Sequence, residues 1–289
     1  MDGTAPYIAL AGLAGLTASG PGDPRVVVAV VDGPADLGHL ELADARIRTL
    51  PGAPAVCGIA RSTACRHGTA VLGILAARRG SAAPALCPGC TLLLRPVFCE
   101  APPGGSCPVL TPDGLATAVV DAVEAGAWIV NLSLGVDGHA LARSRPLDDA
   151  FDHARTRGVL VVVAAGNHGH VGPAPLLTHP WALPVTACDP LGGPLPGANL
   201  GIGIGRSGLR APGLRVLTTA PGGGYQPFSG TSAAAPFVTG TAALLWSTAP
   251  DLPAARIRAA LCLPGTARRS IVPPLLNASA SLRALGRAA

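Results

Sequence analysis

The chain has 289 residues, of which 49% are hydrophobic, and its formal net charge of +5 comes from arginine alone because lysine is absent. This size and apolar content are ample for one large α/β core, but no apolar run has the length of a membrane span. The arginines are scattered without interleaved aromatic residues, which argues against nucleic-acid binding. We therefore expect one domain over residues 1–289, with neither a nucleic-acid nor a membrane partner.

Both ends of the chain are expected to belong to that domain. Residues 1–24 are interpreted as a lead-in, and residues 265–289 as a tail whose helix, over 278–285, packs on the domain. The early apolar stretch 8–16 is short and has no basic residue before it, so it does not resemble a secretory signal. The expected location is the cytoplasm.

In chain order, short apolar runs alternate with helical patterns. Runs that are apolar on both faces are typical of strands in a buried parallel sheet, and the stretches between them are amphipathic or alanine-rich. The alternation predicts an α/β fold, a three-layer sandwich with a mainly parallel central sheet flanked by helices. The expected strands are 26–31, 92–97, 129–134 and 159–165, and the expected helices are 67–78, 113–125, 147–157 and 233–246.

Two segments rich in glycine and proline, 101–108 and 189–213, are predicted to be loops. The first follows directly on a predicted strand. Because ligands of such sheets bind beyond the carboxyl ends of the strands, this loop is a candidate for ligand contact.

The eight cysteines are too few for a disulfide scaffold in a chain of this length. Residues 57 and 65, like 99 and 107, lie eight positions apart and could each close a short loop. The Cys87-Pro-Gly-Cys90 spacing suits zinc or redox chemistry, but such a bare pattern is often fortuitous. Structural cysteines, reduced or bridged, are the favoured interpretation. The alternative zinc site would use Cys87, Cys90, Cys99 and Cys107.

Two polar residues lie at the ends of predicted elements, one at the end of a strand and one at the start of a helix. Asp32 ends the first strand in RVVVAVVDGP, which places a carboxylate at the carboxyl edge of the sheet. His67 opens a helix in CRHGTAVLGIL, where the positive helix end disfavours an imidazolium and favours a neutral, basic ring. Taken singly, Asp32 is as typical of a turn, and His67 of a surface or capping residue.

Two more polar residues follow the same pattern later in the chain. Asn167 follows the strand in VLVVVAAGNHG, so its amide could donate to a developing negative charge. Ser232 precedes the predicted helix 233–246, whose first N–H groups favour an anion, and Pro236 is expected in the first turn of that helix. Singly, a turn asparagine and an N-cap serine are the commoner roles. Together, the four residues predict a catalytic site at one edge of the sheet.

Five segments, VVDG, HGTAVLG, NLSLG, AAGNHG and GTSAAAPFVTG, occur in this order over residues 30–240. They resemble the subtilisin-like serine protease family (subtilases, peptidase family S8). The resemblance implies a serine endopeptidase that acts through an acyl-enzyme and needs no cofactor. It implies Asp32 as the orienting acid, His67 as the general base, Ser232 as the nucleophile and Asn167 as the oxyanion donor. The loops lack an aspartate-rich run typical of a calcium site, since Asp148 and Asp149 are the only adjacent acidic pair and lie in a predicted helix, so no obligatory metal ion is expected.

The same resemblance implies where a peptide substrate binds. One group of residues would form the wall of the pocket that binds the substrate residue before the cleaved bond. His168 stands where a polar residue of that pocket is common. A short edge strand would pair with the substrate. The wall would consist of Ser133, Leu134, Gly135, Ala164, Ala165 and Gly166, and the edge strand of Gly104, Gly105 and Ser106.

The segment around Asp32, GDPRVVVAVVDGPADLGHLEL, is also similar to that of the proteases that mature cyanobactin-type ribosomal peptides. The resemblance implies a precursor peptide as substrate. The cyclising branch of that group carries a helical insertion between its Asp and His segments. Because only 35 positions separate Asp32 from His67, the leader-cleaving branch is favoured.

Two alternatives to an active protease belong to other classes of protein. A catalytically silent subtilase scaffold that binds a peptide is the alternative that stays open. An esterase with a nucleophile elbow is disfavoured, because it requires Gly-x-Ser-x-Gly and this chain has Gly-Thr-Ser-Ala-Ala at residues 230–234.

Overall fold

The computed structural model describes residues 5–52, 56–59, 62–100, 107–134, 144–172, 175–262 and 270–286. The strands in these residues are β1 Val27–Asp32, β2 Arg46–Thr49, β3 Thr91–Pro96, β4 Ile129–Leu132, β5 Leu160–Ala164, β6 Ala182–Cys188, β7 Leu209–Pro212, β8 Val216–Thr219 and β9 Tyr225–Phe228. Within the described residues, β1 to β7 form one sheet in the order β2-β3-β1-β4-β5-β6-β7, and all neighbouring strands are parallel. An antiparallel hairpin of β8 and β9 forms a second, small sheet.

The helices surround the parallel sheet. They are α1 Ala5–Leu10, α2 Ala14–Ala18, α3 Thr63–Ala76, α4 Pro112–Glu124, α5 Arg145–Thr156, α6 Ile202–Ser207, α7 Thr231–Thr248, α8 Ala254–Cys262 and α9 Ala278–Gly286. No helix among the described residues combines the length and the apolar character that crossing a membrane requires.

Alternate residues of β1 face two different helical layers, as the two-residue period of a strand requires. Val28 and Val30 pack in one core with residues of α3 and α7, whereas Ala29 and Val31 pack in the other with residues of α4 and α5. The predicted three-layer sandwich with a mainly parallel sheet is therefore confirmed.

Helix α7 lies at the centre of one layer. All of its residues from Thr231 to Trp246 are buried, and almost all of them are apolar or small, which is typical of a helix enclosed on every side. α7 packs against β4, β5, β6 and β7, and its first residues lie at the carboxyl edge of the sheet, because Thr231 is hydrogen-bonded to Gly166 just after β5 and Ser232 to Ser133 just after β4.

Both ends of the described chain pack onto this core. The Tyr7 hydroxyl donates to the Arg215 carbonyl at 2.9 Å, and Ser279 Oγ donates to the Gly12 carbonyl at 2.8 Å. The expected tail helix is present as α9, which packs against α8.

The structure corrects several predicted boundaries. α3 begins at Thr63, because the Ser62 side chain accepts the N–H of Cys65 and caps the helix there, so His67 is its fifth residue and does not open it. α7 begins at Thr231, so Pro236 is its sixth residue and lies beyond the first turn. The segment 189–213, predicted as a loop, contains α6 and β7.

The cysteines divide into two disulfides and four thiols in the described residues. Cys57 bonds to Cys65, and Cys99 bonds to Cys107. The zinc alternative is therefore wrong as written, because two of its four ligands are bonded to each other. The thiols of Cys87, Cys90 and Cys188 are buried, and Cys262 is half-buried.

Candidate active site

Asp32 and His67 form the central pair of the site. Asp32 ends β1 and is fully buried, whereas 25% of the His67 side chain is exposed. Asp32 Oδ1 accepts the N–H of Gly33 at 2.6 Å and lies 2.7 Å from Nδ1 of His67. Because an ionised carboxylate only accepts, Nδ1 carries the proton and Nε2 is left to accept one.

Asp32 sets the basicity of His67. Burial lowers the pKa of His67, but the charge of Asp32 and its hydrogen bond outweigh burial, so the pKa of His67 is raised above its ordinary value. Asp32 Oδ2 is buried and accepts no hydrogen bond within the described residues, so His67 and the N–H of Gly33 share the other oxygen, Oδ1. The predicted effect of a positive helix end is wrong, since the fifth residue of a helix lies beyond the turn where that effect is felt.

Ser232 is the second residue of α7. Its N–H is among the first of the helix, which have no acceptor inside the helix, and the residue is 5% exposed. Ser232 Oγ donates to the main-chain carbonyl of Ser133 at 3.0 Å. Both Ser232 and His67 are described, and no hydrogen bond joins them, so the structure brings Ser232 to the same edge without the expected contact.

Asn167 lies beside the start of α7. Its Oδ1 accepts the N–H of Thr231 at 2.9 Å, which leaves the Nδ2 amide hydrogens to donate elsewhere. Gly230 makes this approach possible, because its φ is +109° and a Cβ there would lie 2.9 Å from Asn167 Oδ1. Thr231 Oγ1 in turn accepts the N–H of Gly166 at 3.1 Å. Two hydrogen bonds therefore join the start of α7 to the segment 166–167.

Asn199, to which the sequence analysis gave no role, holds the loop around Asn167. It is 7% exposed, and its Oδ1 accepts the N–H groups of His168 at 3.1 Å and His170 at 2.9 Å. Its Nδ2 donates to the Ala165 carbonyl at 2.9 Å. One side chain therefore fixes the loop on both sides of Asn167. The only signal in the sequence is an asparagine among glycines and prolines.

The expected pocket residues lie together only in part. β4 and β5 are neighbours, so the residues that follow them lie side by side at the carboxyl edge of the sheet. Ser133, Leu134, Ala164, Ala165 and Gly166 are buried there, and His168 is exposed. Gly104, Gly105, Ser106 and Gly135 lie outside the described residues.

The hairpin of β8 and β9 packs against α3 beside His67 and holds this helix in place. Gln226 Nε2 donates to the Arg66 carbonyl at 3.0 Å, and Thr219 Oγ1 donates to the Thr69 carbonyl at 2.7 Å. The ring of Phe228 packs edge-on against that of His67, with centroids 5.1 Å apart at 87°. Phe228 therefore covers one side of the imidazole, a role that the sequence analysis missed.

Glu100 joins the two disulfide loops. Its carboxylate accepts from the N–H groups of Gly58 and Ile59 and from Ser62 Oγ at 2.7 Å. Glu100 follows Cys99, and Gly58 follows Cys57. Since Ser62 caps α3, this carboxylate connects both disulfides to the helix that carries His67.

The chain is similar to known proteins of one family. The model of the subtilase family matches residues 23–269. Fervidolysin of Fervidobacterium pennivorans is 30% identical over 260 residues, which are 81% of this chain and 36% of that protein. The chain thus spans about a third of the length of that curated relative.

Two solved structures are similar over nearly the whole chain. A mutant of the protease domain of PatA is 32% identical with a TM-score of 0.81, covering 93% of this chain and 98% of that one. The prenylagaramide maturation protease PagA is 30% identical with a TM-score of 0.78, covering 95% of this chain and 98% of that one.

A three-layer sheet fold with an Asp–His pair and a helix-initial serine at one edge defines the class of subtilisin-like proteins. The family match extends over most of the chain, so this chain belongs to the subtilase family.

Proposed function

We propose that the protein is a serine endopeptidase that hydrolyses peptide bonds through an acyl-enzyme. One observation carries the proposal. Asp32 Oδ1 lies 2.7 Å from His67 Nδ1, which leaves Nε2 of a partly exposed ring as the base. Family membership and the position of Ser232 at the start of α7 support the same activity.

The proposed reaction begins when Ser232 Oγ turns from the Ser133 carbonyl toward His67. His67 Nε2 takes the hydroxyl proton as Oγ attacks the scissile carbonyl, and Asp32 stabilises the imidazolium that forms. Asn167 Nδ2 and the Ser232 N–H donate to the oxyanion. His67 then gives its proton to the leaving amine, and water, activated by the same imidazole, hydrolyses the ester.

The residues at the ends of β4 and β5, with His168, are proposed to contact the peptide on the acyl side of the cut. Their support is the neighbouring position of the two strands, whose following segments are buried at the edge that holds His67 and Ser232. Gly135 and the segment 104–106 stay predictions, since they lie outside the described residues.

A precursor peptide is the proposed natural substrate. The structural neighbours support it, because PagA is a maturation protease of prenylagaramide. Hydrolysis is favoured over cyclisation, because the described residues between Asp32 and His67 contain β2 and a short 3-10 turn and no helical insertion. The whole of residues 1–289 is proposed to act as one domain.

A cytoplasmic location stays part of the proposal. The two disulfides argue the other way, because structural disulfides are rare in reducing compartments. Alkylation of the cysteines during lysis, followed by mass spectrometry, distinguishes a reducing compartment from an oxidising one. Thiols at Cys57 and Cys65 support the cytoplasm, and a bridge contradicts it.

A fluorophosphonate probe tests the activity. We expect one label per chain on Ser232, absent from Ser232→Ala and strongly slowed in His67→Ala. An unlabelled wild-type protein that binds peptides would instead establish the silent scaffold. Product analysis of a peptide library by mass spectrometry then gives the cleavage preference. Cleavage only of peptides that carry a leader segment supports precursor maturation.

A further inference from the structure

Pro236 leaves the Ser232 carbonyl without its helical partner. In an α-helix each carbonyl accepts the N–H of the fourth residue onward, and for Ser232 that residue is Pro236, which has no N–H. Because Ser232 is 5% exposed, its carbonyl requires a donor from another element. Ser133 Oγ, 3.2 Å away just beyond β4, is that donor.

A chain of buried polar groups fixes the Ser133 hydroxyl. Thr239 Oγ1 lies 2.8 Å from Asn131 Oδ1, and Asn131 Nδ2 lies 2.8 Å from Ser133 Oγ. Thr239, Asn131 and Ser133 are all fully buried, so water does not compete for these groups.

The chemistry of the groups sets the direction of every bond. Asn131 Oδ1 only accepts, so Thr239 donates to it, and Asn131 Nδ2 only donates, so Ser133 Oγ accepts from it. The single proton of Ser133 Oγ is then directed to the Ser232 carbonyl. Thr239 lies seven residues after Ser232, about two turns along the same face of α7. The chain of bonds therefore leaves α7, crosses the end of β4 and returns to α7.

We propose that Asn131 and Thr239 are positioning residues for Ser232. They direct the Ser133 hydroxyl to the Ser232 carbonyl, and so they fix the peptide from which Oγ and the oxyanion-binding N–H project. The inference rests on the proposed function of Ser232 as nucleophile. Neither Asn131 nor Thr239 contacts a reacting atom, so both act through Ser133.

Thr239→Val tests the proposal, because it removes the hydroxyl and keeps the shape of the side chain. Thr241→Val is the matched control: Thr241 is also fully buried in α7, but its hydroxyl donates to the Phe237 carbonyl in the same helix. Labelling by the fluorophosphonate probe gives a maximal rate and a half-saturating concentration, and thermal unfolding gives the stability of each variant.

We expect Thr239→Val to lower the maximal labelling rate by roughly tenfold to a hundredfold, the loss that a small misplacement of a reacting group produces. The half-saturating probe concentration stays unchanged, because Thr239 does not contact the probe. Thr241→Val labels at the wild-type rate, and Thr239→Ser, which keeps the hydroxyl, restores most of the lost rate.

Equal labelling rates for the wild type and Thr239→Val would overturn the proposal, as would an equal loss in Thr241→Val. Should Thr239→Val fail to fold, Thr239→Ala compared with Thr239→Ser makes the same test with smaller side chains. Failure of the proposed function has a separate signature, because the wild-type protein would then carry no label on Ser232.

Discussion

Asp32 Oδ1 and His67 Nδ1 lie 2.7 Å apart, between a carboxylate that is fully buried and an imidazole that is partly exposed. This hydrogen bond has a direct consequence for the dependence of activity on pH. Asp32 raises the pKa of His67, although burial alone would lower it. In the proposed mechanism only the neutral imidazole accepts the proton of Ser232, so we expect activity to fall as the pH drops through this raised pKa.

We expect the acidic limb of kcat/KM against pH to have its midpoint above about 6.5, the ordinary histidine value. Asp32→Asn removes the charge and leaves the burial, so the midpoint moves to lower pH while kcat falls by roughly four orders of magnitude. NMR titration of the His67 ring in Ser232→Ala measures the same pKa directly. A midpoint that Asp32→Asn leaves in place would contradict the assignment of His67 as the base.

Asn167 offers a test of the oxyanion contact. Asn167→Asp keeps an oxygen that can accept the Thr231 N–H but has no amide to donate, so the loop is retained and the donor is lost. We expect kcat to fall by roughly a hundredfold or more, which is typical of losing one oxyanion donor, with little change in KM.

Asn167→Ala is the companion variant for that test, because it removes both the donor and the acceptor. A loss in Asn167→Ala that Asn167→Asp does not share would mean that Asn167 matters through its contact with Thr231 and not through donation. Steady-state kinetics on one peptide substrate distinguish the two outcomes.

The Cys57–Cys65 disulfide closes a loop immediately before His67. Removing it in the double variant Cys57→Ser, Cys65→Ser should lower the free energy of unfolding by about 2–3 kcal/mol, as expected for closing a loop of this length. We also expect slower probe labelling, since Cys65 lies in α3 two residues before His67. The double variant Cys99→Ser, Cys107→Ser breaks the disulfide that reaches α3 only through Glu100, so we expect a similar loss of stability and labelling that is slower than in the wild type but faster than in the first variant. Labelling of the Cys57→Ser, Cys65→Ser variant at the wild-type rate would show that the Cys57–Cys65 disulfide does not position α3.

The sequence predicted the elements and residues that local patterns encode. Asp32 follows an uninterrupted apolar run, so both the strand and its end are readable. β6 was missed because Pro184 interrupts it, and proline argues against an interior strand although all seven residues of this one are buried. β2 was missed because three of its four residues are polar and exposed at the edge of the sheet, so it has no continuous apolar run.

In the site, too, local sequence patterns predicted the main residues but not the contacts between distant segments. His67 and Ser232 stand in recognisable segments, but their helices begin earlier than the apolar pattern indicates, because Ser62 and Gly230 set the starts. The supporting contacts of Asn131 and Asn199 join segments far apart in the chain. Thr239 and Asn131, for example, are 108 residues apart. No local pattern specifies such pairs, because they exist only after the sheet has assembled.

Asn199 is the most informative of these distant contacts, because it makes three hydrogen bonds to the backbone around Asn167. Asn199→Ala leaves two N–H groups and one carbonyl without their partner. The Ala165 carbonyl is buried, and an unsatisfied buried group costs about 1–3 kcal/mol, whereas water can reach the N–H groups of the exposed residues His168 and His170. We therefore expect the unfolding free energy to fall by about the cost of one such group, and the released loop to lower kcat. Asn277 provides the control, since its Oδ1 accepts the N–H of Ala280 at the start of α9, away from the site. We expect Asn277→Ala to cost about 1 kcal/mol, as for the loss of a helix cap, and to leave kcat unchanged. Urea unfolding and steady-state kinetics of both variants measure these effects. An Asn199→Ala variant that loses stability but keeps the wild-type kcat would mean that Asn167 is held by Thr231 alone.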